Sequence, residues 1–206
     1  MSPVTANEIK NIIKSLKVKN SYGYDEIPKS ILKIILPYIT SPHIYLCNKS
    51  LSSGIFPTWL KSSQVAPIFK KGDKDKLANY RPISLLTSFS KIFENVIYKR
   101  LDNHKIFNNI LVEEQYGFRN NTSTEQAIYQ LTDNILKALD DKYLVGGIFC
   151  DLTKAFDSVD HDILLGKLEF YGITGSANNL IRSYLKDTYQ RVVIRNKFSN
   201  TYYSRI

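Results

Sequence analysis

Asp151 and Asp157 lie six residues apart in Phe149-Cys150-Asp151-Leu152-Thr153-Lys154-Ala155-Phe156-Asp157-Ser158-Val159-Asp160-His161. An apolar run at 143–148 precedes the stretch, after the turn-like Asp140-Asp141-Lys142, and a helical pattern of Ile163, Leu164, Leu165 and Leu168 follows it. The pattern predicts a buried strand ending at Asp151 and places Asp157 at the mouth of the next helix. A carboxylate at a strand end can hold a hard divalent cation without a flexible loop beneath it. Asp157 would point elsewhere; it or Ser158 suits a helix cap that accepts orphan backbone N–H bonds. Asp160, His161 and Asp162 fall in the first helical turn, where acids suit the dipole, and His161 belongs to no zinc-spaced set.

A second group is cationic. Lys70, Lys71, Lys74, Lys76 and Arg81 crowd into twelve residues against Asp73 and Asp75 only. If the flanking pieces pair as a hairpin, Lys70 and Arg81 both sit near its turn. Such a hairpin can clamp a triphosphate, with the guanidinium acting bidentately and lysine as a point charge. A lysine-rich turn is also commonly just a solvated hairpin. Gln115-Tyr116-Gly117-Phe118-Arg119 forms a third group: glycine permits close backbone approach, and the aromatics could stack on a base or fill the core.

The elements that must carry these groups follow from periodicity. Thr5-Ala6-Asn7-Glu8 reads as a capping box before a helix with Ile9, Ile12, Ile13 and Leu16 on one face. A second helix starts near Pro28, carries Ile31, Leu32, Ile34 and Ile35, and stops at Pro37. A third fits residues 43–52 and ends at Gly54, and 20–25 is a loop. Residues 64–70, broken by Pro67, and 81–86 are extended pieces. Ile92, Phe93, Val96, Ile97 and Leu101 mark a long helix. Thr122-Ser123-Thr124-Glu125 reads as a capping box that opens another helix through Ala127, Ile128, Leu131, Ile135 and Leu139. Gly172 and Gly175 bracket a turn before a helix of Leu180, Ile181, Tyr184 and Leu185. Residues 191–195 and 198–203 are strands joined at Asn196-Lys197. Helices and strands mix without βα alternation, so the fold class is α+β.

The bulk numbers set limits. The 206 residues give ample core, and 43% hydrophobic with 23% charged residues is ordinary for a soluble globular protein. The 28 Lys+Arg against 19 Asp+Glu, a net +9 with a pI near 9.4, favour polyanions, nucleic acid above all. Cys47 and Cys150 form no metal-spaced pair, no signal pattern opens the chain, and no apolar run reaches the ~18 residues of a membrane span. An intracellular protein, nuclear or cytoplasmic, is expected.

Taken in order, four segments resemble successive reverse transcriptase motifs. They are Phe69-Lys70-Lys71-Gly72-Asp73; Asn79-Tyr80-Arg81-Pro82-Ile83-Ser84-Leu85-Leu86; Gln115-Tyr116-Gly117-Phe118-Arg119 with Ser123-Thr124; and Asp151-Leu152-Thr153-Lys154-Ala155-Phe156-Asp157. The pattern is similar to the non-LTR retrotransposon group, jockey-like or LINE-like, whose N-terminal extension the opening residues, with Gly54-Ile55-Phe56-Pro57-Thr58-Trp59-Leu60, also resemble. The resemblance implies a mostly helical fingers region with a basic β-hairpin, beside an incomplete palm. Its divisions would be an N-terminal helical extension at 1–60, fingers at 61–140 and partial palm at 141–206. It implies RNA-directed DNA polymerase chemistry on an RNA template, a DNA primer and deoxynucleoside triphosphates, with Mg2+ as cofactor. Asp151 would be the catalytic metal ligand, with the Leu152 carbonyl as a further oxygen. Lys70, Lys71 and Arg81 would contact the triphosphate, Arg119 the nucleotide or template, and Phe156 would exclude a 2′-hydroxyl.

One departure qualifies the expected activity. Two-metal transfer needs carboxylates from two places, and the family's aromatic-x-Asp-Asp hairpin follows the first motif. The only adjacent pair here, Asp140-Asp141, precedes it. A truncated chain is therefore expected to be inactive alone, with an exposed sheet edge and a weakly stable palm portion. The alternative is a non-catalytic basic nucleic-acid-binding protein.

Overall fold

The computed structural model describes residues 1–17, 22–152, 155–195 and 200–204. They form six α-helices and a four-stranded mixed sheet, which confirms the α+β class. The chain divides into two compact units, one of Met1–Leu101 with His161–Ile206 and the other of Asp102–Asp160.

In the first unit, helix α1 (Ala6–Ser15) buries Ile9, Ile12 and Ile13, as its spacing predicts. Thr5 caps it by accepting from the Glu8 N–H at 3.3 Å. Val4 just before the cap and Ile9 in the first turn both join the core, a hydrophobic staple. The predicted box is only half made, because the Glu8 carboxylate turns to Arg100 instead.

Helix α2 (Lys29–Ser53) corrects the expectation of two helices: it runs unbroken through Pro37 and Pro42. Each proline removes a ladder bond at a cost of about 3 kcal/mol. A length of 25 residues lets the helix bury Leu32 at one end and Cys47 and Leu51 at the other, in the same core as α1. Gly54 ends it as predicted, at φ 70°. A Cβ there would lie 2.9 Å from the Ser176 carbonyl oxygen.

Of the expected loop at 20–25, residues 20 and 21 lie outside the described residues. Gly23 packs against backbone: a Cβ on it would meet the Thr87 nitrogen at 2.6 Å. That contact, with Ser88 Oγ donating to the Ile27 carbonyl at 3.2 Å, fixes the start of α3 (Ser88–Phe107). α3 contributes Ile92, Phe93 and Val96 to the core. Phe56, fully buried, meets Phe93 and Tyr184 edge-on, with centroids 5.9 and 4.8 Å away.

Strand β1 (Ser62–Phe69) pairs antiparallel with β2 (Tyr80–Leu86), so the two predicted extended pieces do form a hairpin. β3 (Tyr189–Arg195) adds parallel to β1 through Ser62↔Tyr189 to Val65↔Val192, and β4 (Asn200–Ser204) pairs antiparallel with β3. The sheet order is β2-β1-β3-β4. The expected link at Asn196-Lys197 lies outside the described residues.

Two further helices complete this unit, α5 (His161–Phe170) and α6 (Gly175–Leu185). Their turn is a Schellman motif: the Gly172 N–H reaches the Glu169 carbonyl at 2.9 Å and the Ile173 N–H reaches that of Leu168 at 2.9 Å, with Gly172 at φ 84°. Buried Asn178 seals it by donating Nδ2 to the Leu165 and Ile173 carbonyls, at 3.0 and 3.1 Å. Asp157 and Ser158 do not cap α5. They lie in a turn three or more residues short of it, where Ser158 Oγ donates to the Ala155 carbonyl at 3.0 Å.

In the second unit, helix α4 (Thr124–Asp140) opens on a capping box one residue later than predicted, Ser123 with Gln126. The helix forms as predicted, and its apolar residues Ile128, Leu131 and Leu139 are all at least half exposed. The strand expected over 143–148 does not form. The segment from 143 to 152 is irregular and exposed, with Leu144, Ile148 and Phe149 almost fully open to solvent. A strand exists only through a paired neighbour, and the sheet of the described residues, β2-β1-β3-β4, does not include this run. Of the motif itself, Thr153 and Lys154 lie outside the described residues.

Candidate nucleotide and nucleic-acid interface

The cationic hairpin is built by its own ladder. Register runs from Ser63↔Leu86 to Phe69↔Tyr80, and the Lys70 N–H extends it by donating to the Asn79 carbonyl at 2.8 Å. Bonded pairs alternate along such a ladder, so Pro67↔Pro82 falls at a non-bonded pair, where the N–H groups would point outward. The prolines therefore cost no hairpin bond, and each removes one donor from the side of its strand that faces away from the hairpin. Side chains alternate too: Lys70 and Arg81 become diagonal neighbours on one face, while Phe69 and Tyr80 occupy the other.

The turn beyond is held by specific bonds. Asp73 Oδ1 accepts from the Asp75 N–H at 3.0 Å, Asn79 Nδ2 donates to the Asp73 carbonyl at 2.7 Å, and the Tyr80 hydroxyl donates to the Lys74 carbonyl at 2.9 Å. Gly72 sits at φ 92°, and a Cβ there would lie 2.8 Å from Asn79 Nδ2, so the turn needs a residue without one. Phe69 and Tyr80 meet edge-on at 5.5 Å, and the Lys74 ammonium lies 5.8 Å from the Phe69 ring centre. Lys70, Lys71 and Arg81 are all exposed. The result is a shaped, solvent-facing cationic tip, able to offer one guanidinium fork and several point charges to phosphate oxygens.

The remaining predicted residues, Arg119, Asp151, Leu152 and Phe156, belong to the second unit. Arg119 Nη1 donates to the Val112 carbonyl at 3.0 Å, and the Thr122 hydroxyl lies 2.7 Å from the Tyr116 carbonyl and 2.9 Å from that of Arg119. These bonds fold the Gln115–Arg119 group into a compact loop. Phe118, at φ 58°, is 87% exposed, so it fills no core; its ring instead meets Phe156 edge-on at 6.0 Å. Two of the four recognised segments, far apart in sequence, are thus in contact, a pairing that the sequence carried no local signal for. Asp151 and Leu152 lie on the exposed, irregular segment, not at a strand end.

Charge divides sharply between the units. Counting along the sequence, the first holds 23 Lys+Arg against 9 Asp+Glu, a formal +14, and the second holds 5 against 10, a formal −5. The net +9 of the chain conceals this asymmetry, which only the unit boundaries expose.

The chain belongs to the reverse transcriptase (RNA-dependent DNA polymerase) family, whose pattern matches residues 68–205. Its relationship is with the non-LTR retrotransposon enzymes of the jockey, BS and X-element kind. It is 36% identical, over 97% of its length and 22% of the relative's, to a probable RNA-directed DNA polymerase from transposon BS of Drosophila melanogaster. Identity is 32% over 81% of this chain and 18% of the relative for the RNA-directed DNA polymerase from mobile element jockey of the same species. It is 30% over 90% and 20% for the probable RNA-directed DNA polymerase from transposon X-element. The chain thus spans about a fifth of the length of these relatives. Among the described residues, no helix is long and apolar enough to cross a membrane.

Proposed function

We propose that this chain is the fingers and first palm portion of an RNA-directed DNA polymerase that adds deoxynucleotides to a primer on an RNA template. The family match over 68–205 carries the reading, because it spans the hairpin and the Asp151 motif together. In this reading residues 1–60 are the N-terminal extension, 61–140 the fingers and 141–206 the beginning of the palm. Lys70, Lys71 and Arg81 bind the triphosphate. Their exposure on a preformed ladder supports that role, since a rigid cationic frame loses little freedom on binding an anion. Arg119 contacts nucleotide or template. Phe156, braced by Phe118, is the residue that would exclude a 2′-hydroxyl.

Magnesium is the metal that the family implies, and the residues present do not fit it. Among the described residues, no three His, Cys, Asp or Glu side chains lie close enough to hold an ion together. Asp151 and the Leu152 carbonyl supply two oxygens on an exposed segment, whereas Mg2+ demands near-ideal octahedral geometry and two-metal chemistry needs carboxylates from two places. These 206 residues alone are therefore expected to bind substrates without extending a primer. The test is primer extension on an RNA template with magnesium, beside Asp151→Ala. Extension by the chain that disappears in the variant would overturn the inactive reading.

A second reading, a non-catalytic nucleic-acid-binding protein, is favoured by the +14 unit taken alone. Steeply salt-dependent RNA binding without extension is its signature.

A further inference from the structure

An open groove of about 750 Å³ runs beside the start of α4 in the second unit. We infer that it takes an unpaired nucleobase of a single-stranded RNA, recognised by its face and edge and not by its phosphate. The inference rests on the nucleic-acid reading above and adds a subsite to it.

The lining is aromatic and amide. Tyr116 and Tyr129 supply two rings, and Asn120, Asn121 and Gln130 supply side-chain amides, each with both a donor and an acceptor. Neutral amides match the mixed edge of a base, whereas phosphate wants cations or free N–H groups. The ionic members argue against phosphate as well. Glu113 and Glu125 line the groove against a single cation, Arg119, so its ionic lining is net acidic. At the start of α4 the capping box already engages the Gln126 N–H, which Ser123 accepts at 3.2 Å, and the Ser123 N–H, which Gln126 accepts at 2.9 Å. The whole unit is also acidic, at 5 Lys+Arg against 10 Asp+Glu.

The framework is fixed where it needs to be. The Thr122 hydroxyl contacts the carbonyls on both sides of the Gly117 turn, and Asn120 Nδ2 donates to Asp102 Oδ2 at 3.2 Å, which positions its amide. Gln130 Nε2 donates to Asn134 Oδ1 at 3.1 Å, one turn along α4. Tyr129 stays 72% exposed on the helix surface, so a base can reach its ring. Phe118, one of the two aromatics that the sequence offered for stacking or for the core, is instead against Phe156.

The experiment compares binding of a short single-stranded RNA with its abasic counterpart of equal length, using the 206-residue chain, Tyr129→Ala and Tyr129→Phe. One stacked base corresponds to roughly a 5- to 150-fold difference in affinity. The wild type and Tyr129→Phe should prefer the base-bearing RNA by about that factor, and Tyr129→Ala should lose the preference with an unchanged salt slope. Competition by free adenosine would assign the site to a nucleoside's base in general; its absence would assign it to a base held in a strand. Equal wild-type binding of both RNAs, with salt dependence retained, overturns the groove alone. So does a preference that survives Tyr129→Ala. No RNA binding at any salt overturns the groove and the nucleic-acid reading together.

Discussion

Replacing Glu8 with glutamine should loosen the N-terminal helix from α3 by an amount that pH controls. Arg100 Nη1 donates to Glu8 Oε1 at 2.7 Å and Nη2 donates to Oε2 at 3.0 Å. The same guanidinium also serves the carbonyls of Ser2, Pro3 and Val96, so one side chain ties the opening residues to α3. The pair keeps only 8% and 17% side-chain exposure, yet it is not sealed from water. Breaking a fully buried pair costs about 3–5 kcal/mol, and an exposed one about 0.2–1. Glutamine preserves volume and one acceptor, so about 1.5–3 kcal/mol is expected at pH 7. The Arg100 hydrogen bond, above all, holds the Glu8 carboxyl below the ordinary 4.5. A depressed folded value means that the stabilisation is complete above 4.5 and fades as pH falls through the lower value. Urea unfolding followed by helical circular dichroism should show the gap at pH 7 and its narrowing as pH falls below 4.5. A gap under about 0.5 kcal/mol at pH 7, or one undiminished in acid, would refute the assignment.

Other substitutions test the remaining claims. Phe56→Ala should cost about 3–5 kcal/mol in urea unfolding, because it empties a site between the Phe93 and Tyr184 rings. Gly23→Ala should cost about 1–3 kcal/mol by forcing Thr87 backbone away, and an unchanged midpoint would show that the 20–25 loop yields freely. Tyr184→Phe removes the 2.6 Å hydrogen bond to Glu94 Oε1, at about 1–3 kcal/mol near pH 7. Burial already raises Glu94 above 4.5, and loss of the tyrosine raises it further, so protonation rescues the variant and the deficit should shrink as pH falls toward 4.5. Lys70→Ala with Arg81→Ala should lower the salt slope of single-stranded RNA binding by about 1–1.5 in a log–log plot, and an unchanged slope would remove the hairpin from the interface.

Elements whose cause lies within them could be read from sequence. The spacing of Ile9, Ile12 and Ile13 located α1, and paired extended pieces around Gly72 and Asp73 located the hairpin. Where the cause was distant, sequence failed. Pro37 and Pro42 predicted a break, but burial of Leu32, Cys47 and Leu51 keeps α2 continuous. Glu8 has the right spacing for a capping box, but an arginine 92 residues away offers a stronger, charged partner. The apolar run at 143–148 has strand composition, yet β-propensity expresses itself only against a neighbour, and among the described residues the run pairs with no strand. Site residues follow the same rule. The hairpin's ladder put Lys70 and Arg81 on one face, whereas the Phe118–Phe156 contact depends on how the second unit folds.

That difference separates binding from chemistry. The hairpin's cations are held by a closed ladder and a turn with its own hydrogen bonds, so their geometry does not depend on Asp151. Asp151 sits on an irregular segment whose apolar neighbours face water, and a metal ligand must be fixed to within about 0.5 Å to act. Asp151→Ala should therefore leave the affinity for RNA and its salt slope unchanged, while the Lys70 and Arg81 substitutions reduce both. If Asp151→Ala weakened RNA binding as much as the hairpin variant does, the carboxylate would be acting on the bound strand, and the division of labour drawn from the fold would be wrong.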